Sequence, residues 1–165
     1  STMGAHVSDC PNHTVGRVTP FETRGIVALA GTFGYELDVT KIAQEERDMI
    51  PGQVAMYHKY NDLVREGEYY RIASYSQNHK YDCWEVVSQD QKEALVTFVQ
   101  VLNRANFKSR NIKLKGLKKD VVYKLEEDIC YSGEALMYAG IQIPNPWGDF
   151  QAKLLHFTAV ESDVK

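Results

Sequence analysis

The spacing of hydrophobic positions changes character near residue 66. Before it, apolar residues recur at helical intervals; after it, they alternate every second residue. The first helical signal is Thr19-Pro20-Phe21-Glu22. Thr19 can cap, Pro20 suits a first helical position that needs no amide donor, and Glu22 completes a capping box. This helix is predicted to run to about Ala30, with Gly31 as its stop. Gly25 inside it costs up to ~1 kcal/mol relative to Ala, which points to a close packing contact. Asp38 or Thr40 opens a second helical stretch, through Asp48. Pro51 removes an amide donor and crowds the preceding turn, so the pattern predicts a break there and a further helix from about Pro51 to Arg65, closed by Gly67. Val54, Tyr57 and Val64, with Met56, Tyr60 and Leu63 beside them, cover more than one narrow stripe, and this helix is expected to be buried over much of its circumference.

From Tyr69 the period is two. Tyr70, Ile72 and Ser74 alternate with Tyr69, Arg71 and Ala73. Cys83–Ser88 follows, then a polar turn at Gln89–Lys92 and a long strand, Glu93–Leu102. In that strand Leu95, Val99 and Val101 share one face, while Ala94, Val96, Phe98 and Leu102 share the other. Apolar residues on both faces predict a central strand. Asn111–Lys115, Val121–Glu126 and Phe150–Ala159 complete the strands, and Ser132–Met137 reads as a helical turn between them. The fold class is therefore α+β, helices first and then an antiparallel β-sandwich or barrel.

Composition narrows this reading without redirecting it. A 165-residue chain with 44 % hydrophobic and 25 % charged residues is ordinary for a globular protein. It is too short for a complete (β/α)8 barrel, which needs at least ~200 residues. The longest aliphatic run, Ile26–Ala30, is far below the ~20 residues of a membrane span, so no membrane partner is expected. No signal peptide is visible. Cys10, Cys83 and Cys130 form an odd, sparse set that suggests reduced thiols and a cytoplasmic setting. Asn12-His13-Thr14 matches a glycosylation sequon, which matters only in a secretory protein. The first residues carry no initiating Met at their head and read as an expression scar or the middle of a longer protein.

Candidate chemistry is sparse. His6-x3-Cys10-x2-His13 supplies three soft ligands without a fourth, so no metal is expected. Cys10 with His13, and Ser8 with His6, lack the third group that would orient a nucleophile's base. Glu45, Glu46 and Asp48 read as a solvated helix face with Arg47, and Glu36 and Asp38 suit the positive end of a helix. Lys108, Arg110, Lys113, Lys115, Lys118 and Lys119 have only Phe107 among them; a nucleic-acid sheet would offer several stacking aromatics. This basic stretch is read as a solvated strand face that discourages edge pairing, with no nucleic-acid partner. Trp84 and Trp147 could stack on sugar rings, but aromatics at this period are more often core. Composition and spacing alone show no catalytic set and no cofactor.

A resemblance adds to this. Ser1–Arg17, STMGAHVSDCPNHTVGR, resembles the segment around the last barrel strand of the large bacterial α-galactosidases of glycoside hydrolase family thirty-six. Thr19–Leu37, TPFETRGIVALAGTFGYEL, continues it into the following helix. Gly67–Ile72, YSGEALMYAG at Tyr131–Gly140 and GDFQAKLLHF at Gly148–Phe157 resemble the C-terminal domain. Pro51-Gly52 departs from the uninterrupted helix of the family. The resemblance implies that residues 1–67 are the last strand and helices of a (β/α)8 catalytic barrel and residues 68–165 a C-terminal β-sandwich. It implies retaining hydrolysis of terminal α-galactosides such as melibiose and raffinose by two aspartates. Both match positions upstream of Ser1, so no catalytic residue is assigned here, and Asp9 matches neither. If His6–Ser8 ends the last strand, the loop after it lies on the catalytic face, with His6, Ser8, Asn12, His13 and Arg17 as substrate-side rim candidates; a purely structural loop is the other reading.

The chain alone is then expected to be inactive. Its parent would be a cytoplasmic bacterial enzyme and homo-oligomer whose substrates are α-galactoside oligosaccharides. In that parent the sandwich would brace the barrel through the Val54–Val64 helix, with Trp84 and Trp147 serving stability. An isolated chain would self-associate through Met3–Val7 and Phe21–Ala30, or lay that helix on the sandwich. The alternative is a stand-alone β-sandwich module that binds carbohydrate or protein.

Overall fold

The structure, a computed structural model, describes residues 5–106, 109–125 and 129–160. Two short strands, β1 (Val7–Ser8) and β2 (Tyr35–Glu36), pair in parallel, with α1 (Phe21–Ala28) in the crossover between them. A parallel pair needs a long connection of this kind. Thr19 does not cap α1. Pro20 holds the N-cap position, and the Thr19 carbonyl accepts instead from Nε of Arg24 at 3.0 Å. The helix stops two residues short of Ala30 because its last amides turn to carbonyls three residues back, Leu29 to Ile26 and Ala30 to Val27.

The expected break at Pro51 is absent. A single helix, α2, spans Gln44–Glu66, with Pro51 inside it. An interior proline costs ~3 kcal/mol in an isolated helix, but here both flanks are anchored. Before the proline, Glu46 receives the Arg24 guanidinium at 2.7 Å. After it, buried Gln53 donates to the Phe21 carbonyl and accepts from the Tyr35 hydroxyl, each at 2.9 Å. Tertiary contacts thus carry the helix through a residue that locally disfavours it. Gln53 also explains Gly25, where a Cβ would run into its amide. Asp38 and Thr40 form a turn rather than a helix start: Asp38 Oδ1 accepts from the Thr40 amide and hydroxyl, and these bonds with the Lys41 ammonium hold its carboxyl down at about 2. The buried stripe of α2 is narrower than expected, with only Gln53, Tyr60 and Leu63 fully covered.

Chain direction then reverses into β3 (Glu68–Ala73), a short α3 (Tyr75–Asn78), β4 (Tyr81–Val87) and β5 (Glu93–Gln100). There follow β6 (Ser109–Ile112), β7 (Val122–Leu125), β8 (Ile129–Ser132), a π-helical turn at Ala135–Ala139, β9 (Ile141–Pro144) and β10 (Gln151–Ala159). Glu126, at the end of one expected strand, lies outside the described residues. Six strands make one antiparallel sheet in the order β3-β4-β5-β10-β7-β8, and β6 and β9 make a separate antiparallel ribbon. β5 is internal, as its two apolar faces predict, with β4 on one side and β10 on the other.

Each face of β5 enters a different core. Ala94, Val96 and Phe98 pack with Ile112, Leu114, Ile141 and Ile143 of the ribbon and its flanks, and with Tyr123 and Phe157. Leu95 points the other way, into a smaller cluster with Val86 and with Leu29, Tyr60 and Leu63 from the helical side. Thr23 Oγ1 accepts from the Ala152 amide at 3.1 Å, tying α1 to β10. The apolar face of α1 is therefore covered within the chain: Ile26, Ala28 and Leu29 are buried, and only Val27 of that run is exposed. Among the described residues the apolar face of α1, expected to drive self-association, is not left open and lies against β10. Met3 and Gly4, named in the same expectation, lie outside the described residues. A groove of about 680 Å³ remains between α1, α2 and β10, lined by Ile26, Met56, Lys59, Tyr60 and Leu155 among others.

Candidate functional site

The loop leaving β1 carries the rim candidates, and its shape comes from two residues. Asn12 folds the loop on itself: its Oδ1 accepts from the amides of Thr14 and Val15, its own amide donates to the Arg17 carbonyl, and its carbonyl accepts from Gly16. Gly16, at φ +65°, makes the turn that returns the chain. Arg24 fixes the loop's base. Its Nη1 donates to the Ser8 carbonyl at 2.7 Å, its Nε to Thr19 and its Nη2 to Glu46, while the guanidinium lies 5.0 Å over the Phe21 ring.

The five candidates do not converge on one point. His6 Nε2 pairs with Glu36 Oε2 at 2.8 Å on an exposed surface. Ser8 is held by its carbonyl in the base of the loop. Asn12 spends its side-chain oxygen on the loop itself. His13 is exposed. Arg17 lies away from the others, its guanidinium 5.2 Å over the Phe150 ring just before β10. Beyond the C-terminal end of β1 a cleft of about 430 Å³ opens between this loop and the start of α2, lined by Asp9, Cys10, Pro11, Arg24, Lys41 and Glu46. Its two carboxylates differ in kind, for Glu46 is neutralised by Arg24 and Asp9 is exposed. Among the described residues, no group of three or more His, Cys, Asp or Glu is placed to hold a metal ion.

Arg24 is the residue that sequence reasoning passed over. Its signal was a cation inside the apolar run of α1; a buried charge needs partners, and Arg24 has three hydrogen-bonded acceptors. Trp84 and Trp147, grouped together from the sequence, part company. Trp84 is half-buried beside Leu29, Val64 and Leu95. Trp147 is 89 % exposed, which overturns its assignment to the core. In the basic stretch, Lys113, Lys118 and Lys119 are exposed, Arg110 stacks on Tyr81, and Lys108 and Phe107 lie outside the described residues.

Comparison with known proteins covers nearly the whole chain. The Melibiase family matches residues 1–67, and the glycosyl hydrolase family 36 C-terminal domain matches residues 81–157. The chain is 44 % identical, over 98 % of its length, to the α-galactosidase AgaA of Geobacillus stearothermophilus, and 44 % identical over 98 % to the bifunctional α-galactosidase/sucrose kinase AgaSK of Mediterraneibacter gnavus. It spans 22 % and 17 % of those proteins. The solved galactosidase domain of AgaSK superposes with a TM-score of 0.92 at 44 % identity, over 97 % of this chain and 22 % of that one. A variant of AgaA solved in complex with raffinose superposes with a TM-score of 0.91 at 43 % identity, over 96 % of this chain and 22 % of that one.

Proposed function

The chain belongs to glycosyl hydrolase family 36, and on that premise we propose that it is the C-terminal portion of a retaining α-galactosidase acting on terminal α-galactosides of the melibiose and raffinose type. The observation that carries this is the close superposition of almost the entire chain on an α-galactosidase that holds raffinose. In this reading residues 1–67 are the last strand and helices of the catalytic barrel, and residues 68–165 are the C-terminal β-sandwich. The parallel β1-α1-β2 crossover supports the first assignment, since barrels are built of such units and place their sites beyond the C-terminal ends of strands. The large sheet and the ribbon sharing one core support the second.

Retention requires two carboxyl groups ~5–5.5 Å apart, one attacking the anomeric carbon and the other protonating the departing oxygen. In the cleft beyond β1 the Arg24 guanidinium holds Glu46, and the chain spans only 22 % of AgaA. The chemistry therefore falls to carboxylates elsewhere in the parent enzyme, and this chain supplies the rim and its support. His6, His13 and Arg17 are the exposed rim residues; Asn12 shapes the loop, and Arg24 anchors Ser8 at its base. The reading extends to a cytoplasmic bacterial homo-oligomer that needs no cofactor.

The test is hydrolysis of a chromogenic α-galactoside. The purified chain is expected to show no turnover, and the parent enzyme to release α-galactose first, as followed by proton NMR. Turnover by the pure chain after removal of trace hydrolase, or initial release of β-galactose by the parent, overturns the proposal.

A further inference from the structure

Trp147 stands in the short connection from β9 to β10, and that connection is built to hold it still. Gln100, at the end of β5, is 2 % exposed, yet its side-chain amide donates to the carbonyls of both residues flanking the tryptophan, Pro146 at 2.7 Å and Gly148 at 2.9 Å. Asp149 Oδ1 accepts from the Asn103 amide at 2.7 Å, and the Phe150 amide reaches the Val101 carbonyl at 3.2 Å. Gly148 at φ +96° permits the turn. The backbone is clamped from both sides, while the indole it carries is almost wholly in water.

A shallow cavity of about 300 Å³ lies beside the indole, lined by Asn103, Arg104, Ala105, Asn106, Asn145 and Trp147. Three side-chain amides and a guanidinium supply donors and acceptors, with Asn103 Oδ1 also accepting from the Arg104 amide at 2.9 Å. One acceptor, Asn145 Oδ1, is buried and has no partner among the described residues. A protein-docking site would surround its anchor with further large apolar side chains; here the other lining residues are three asparagines, an arginine and an alanine. A rigid aromatic face next to several amides fits a ligand with one apolar C–H face and a rim of hydroxyls, which is the chemistry of a pyranose ring.

We propose that Trp147, with Asn103, Arg104, Asn106 and Asn145, forms a carbohydrate-binding platform on which a pyranose unit of an oligosaccharide stacks. Arg17, at the end of the rim loop, lies over the ring of Phe150 three residues further on, so the platform loop and the rim loop are in contact. The choice of a galactose-containing sugar as probe rests on the proposed function; the platform itself rests on Trp147.

The experiment is saturation-transfer NMR on the full chain with raffinose, followed as a titration. Transfer to raffinose ring protons is expected, with a Kd in about the millimolar range. Trp147→Ala is expected to weaken it by about tenfold or more, and Trp147→Phe to retain part of it, with circular dichroism and melting temperature unchanged in both. Absence of transfer to raffinose overturns the proposal, as does transfer that Trp147→Ala leaves intact. So does light scattering that shows an oligomer of the chain dissolved by Trp147→Ala, because a second copy would then be what covers the indole. Hydrolysis by the parent is a separate measurement, so the platform and the activity can fail independently.

Discussion

The two faces of the six-stranded sheet are held in different ways. The ribbon-side face packs almost entirely by shape, and Phe98, Tyr123, Phe157, Ile112, Leu114, Leu136 and Ile143 are all fully buried there. The helical side has a small apolar cluster of five buried residues, a groove beside it, and a set of hydrogen bonds through Gln53, Arg24 and Thr23. Apolar packing is non-directional and tolerates small readjustment, whereas a buried hydrogen bond fails outright when its partner moves. The ribbon side is thus a core that sustains itself, and the helical side is a joint that depends on a few exact partners.

The largest expected effect breaks the ribbon side. Phe98→Ala removes a fully buried ring at the sheet centre and should cost about 3–5 kcal/mol, lowering the melting temperature by about 10 °C. A loss below about 1 kcal/mol would mean that this core is not the principal one. Next comes the joint. Gln53→Ala strands the Phe21 carbonyl and the Tyr35 hydroxyl and should cost about 2 kcal/mol. Its signature is local: amide exchange should quicken in α1 and α2 while β5 and β10 keep their protection. Equal loss of protection in β5 would show that the two faces unfold as one unit.

Counted per pH unit, the smallest effect concerns Glu85, the one buried carboxyl among the described residues of the ribbon-side core. Glu85 lies on the same face of β4 as Cys83 and Val87, with Oε2 accepting from the Lys115 amide at 2.8 Å and Oε1 without a partner among the described residues. Burial pushes its pKa up to about 8, against the pull of the Lys115 amide bond and ammonium. Folded Glu85 therefore keeps a proton that the unfolded chain releases near 4.5. Stability should fall as pH rises between those two values, by at most about 1.4 kcal/mol per pH unit, and level off above them. Glu85→Gln should flatten that slope in thermal melts from pH 5 to pH 8, and an unchanged slope would assign it to other groups.

The same contrast explains what was legible in the sequence. The alternation in Glu93–Leu102 exposed both cores, because packing by shape leaves its period in the residue pattern. Helical-side contacts leave no such trace. Pro51 reads as a helix break until Gln53 and Glu46 are seen bound to residues far away in sequence, and Arg24 reads as one more charge until its three acceptors are in place. β2, β8 and β9 were missed because two to four residues cannot show a period. Trp147 had a legible signal that was not used: a proline before it and a glycine after it mark a turn, and a turn displays its side chain rather than burying it. The rim loop was placed from resemblance alone, and its internal use of Asn12 is visible only in three dimensions.

The position of β10 bears on how the chain is made. This strand is late in sequence, yet it sits in the middle of the sheet, pairing with β5 along eight residues and with β7 on its other side. During translation β3, β4 and β5 leave the ribosome as one meander and β7 with β8 as a separate hairpin. Until residue 159 clears the exit tunnel, β5 and β7 both present unpaired edges, and Leu95 and Phe98 lack the strand that covers them. The nascent chain therefore holds a half-built sheet for the time it takes to add 59 residues after β5, seconds at elongation rates of ~5–20 residues per second. That interval is when a chaperone has most to protect.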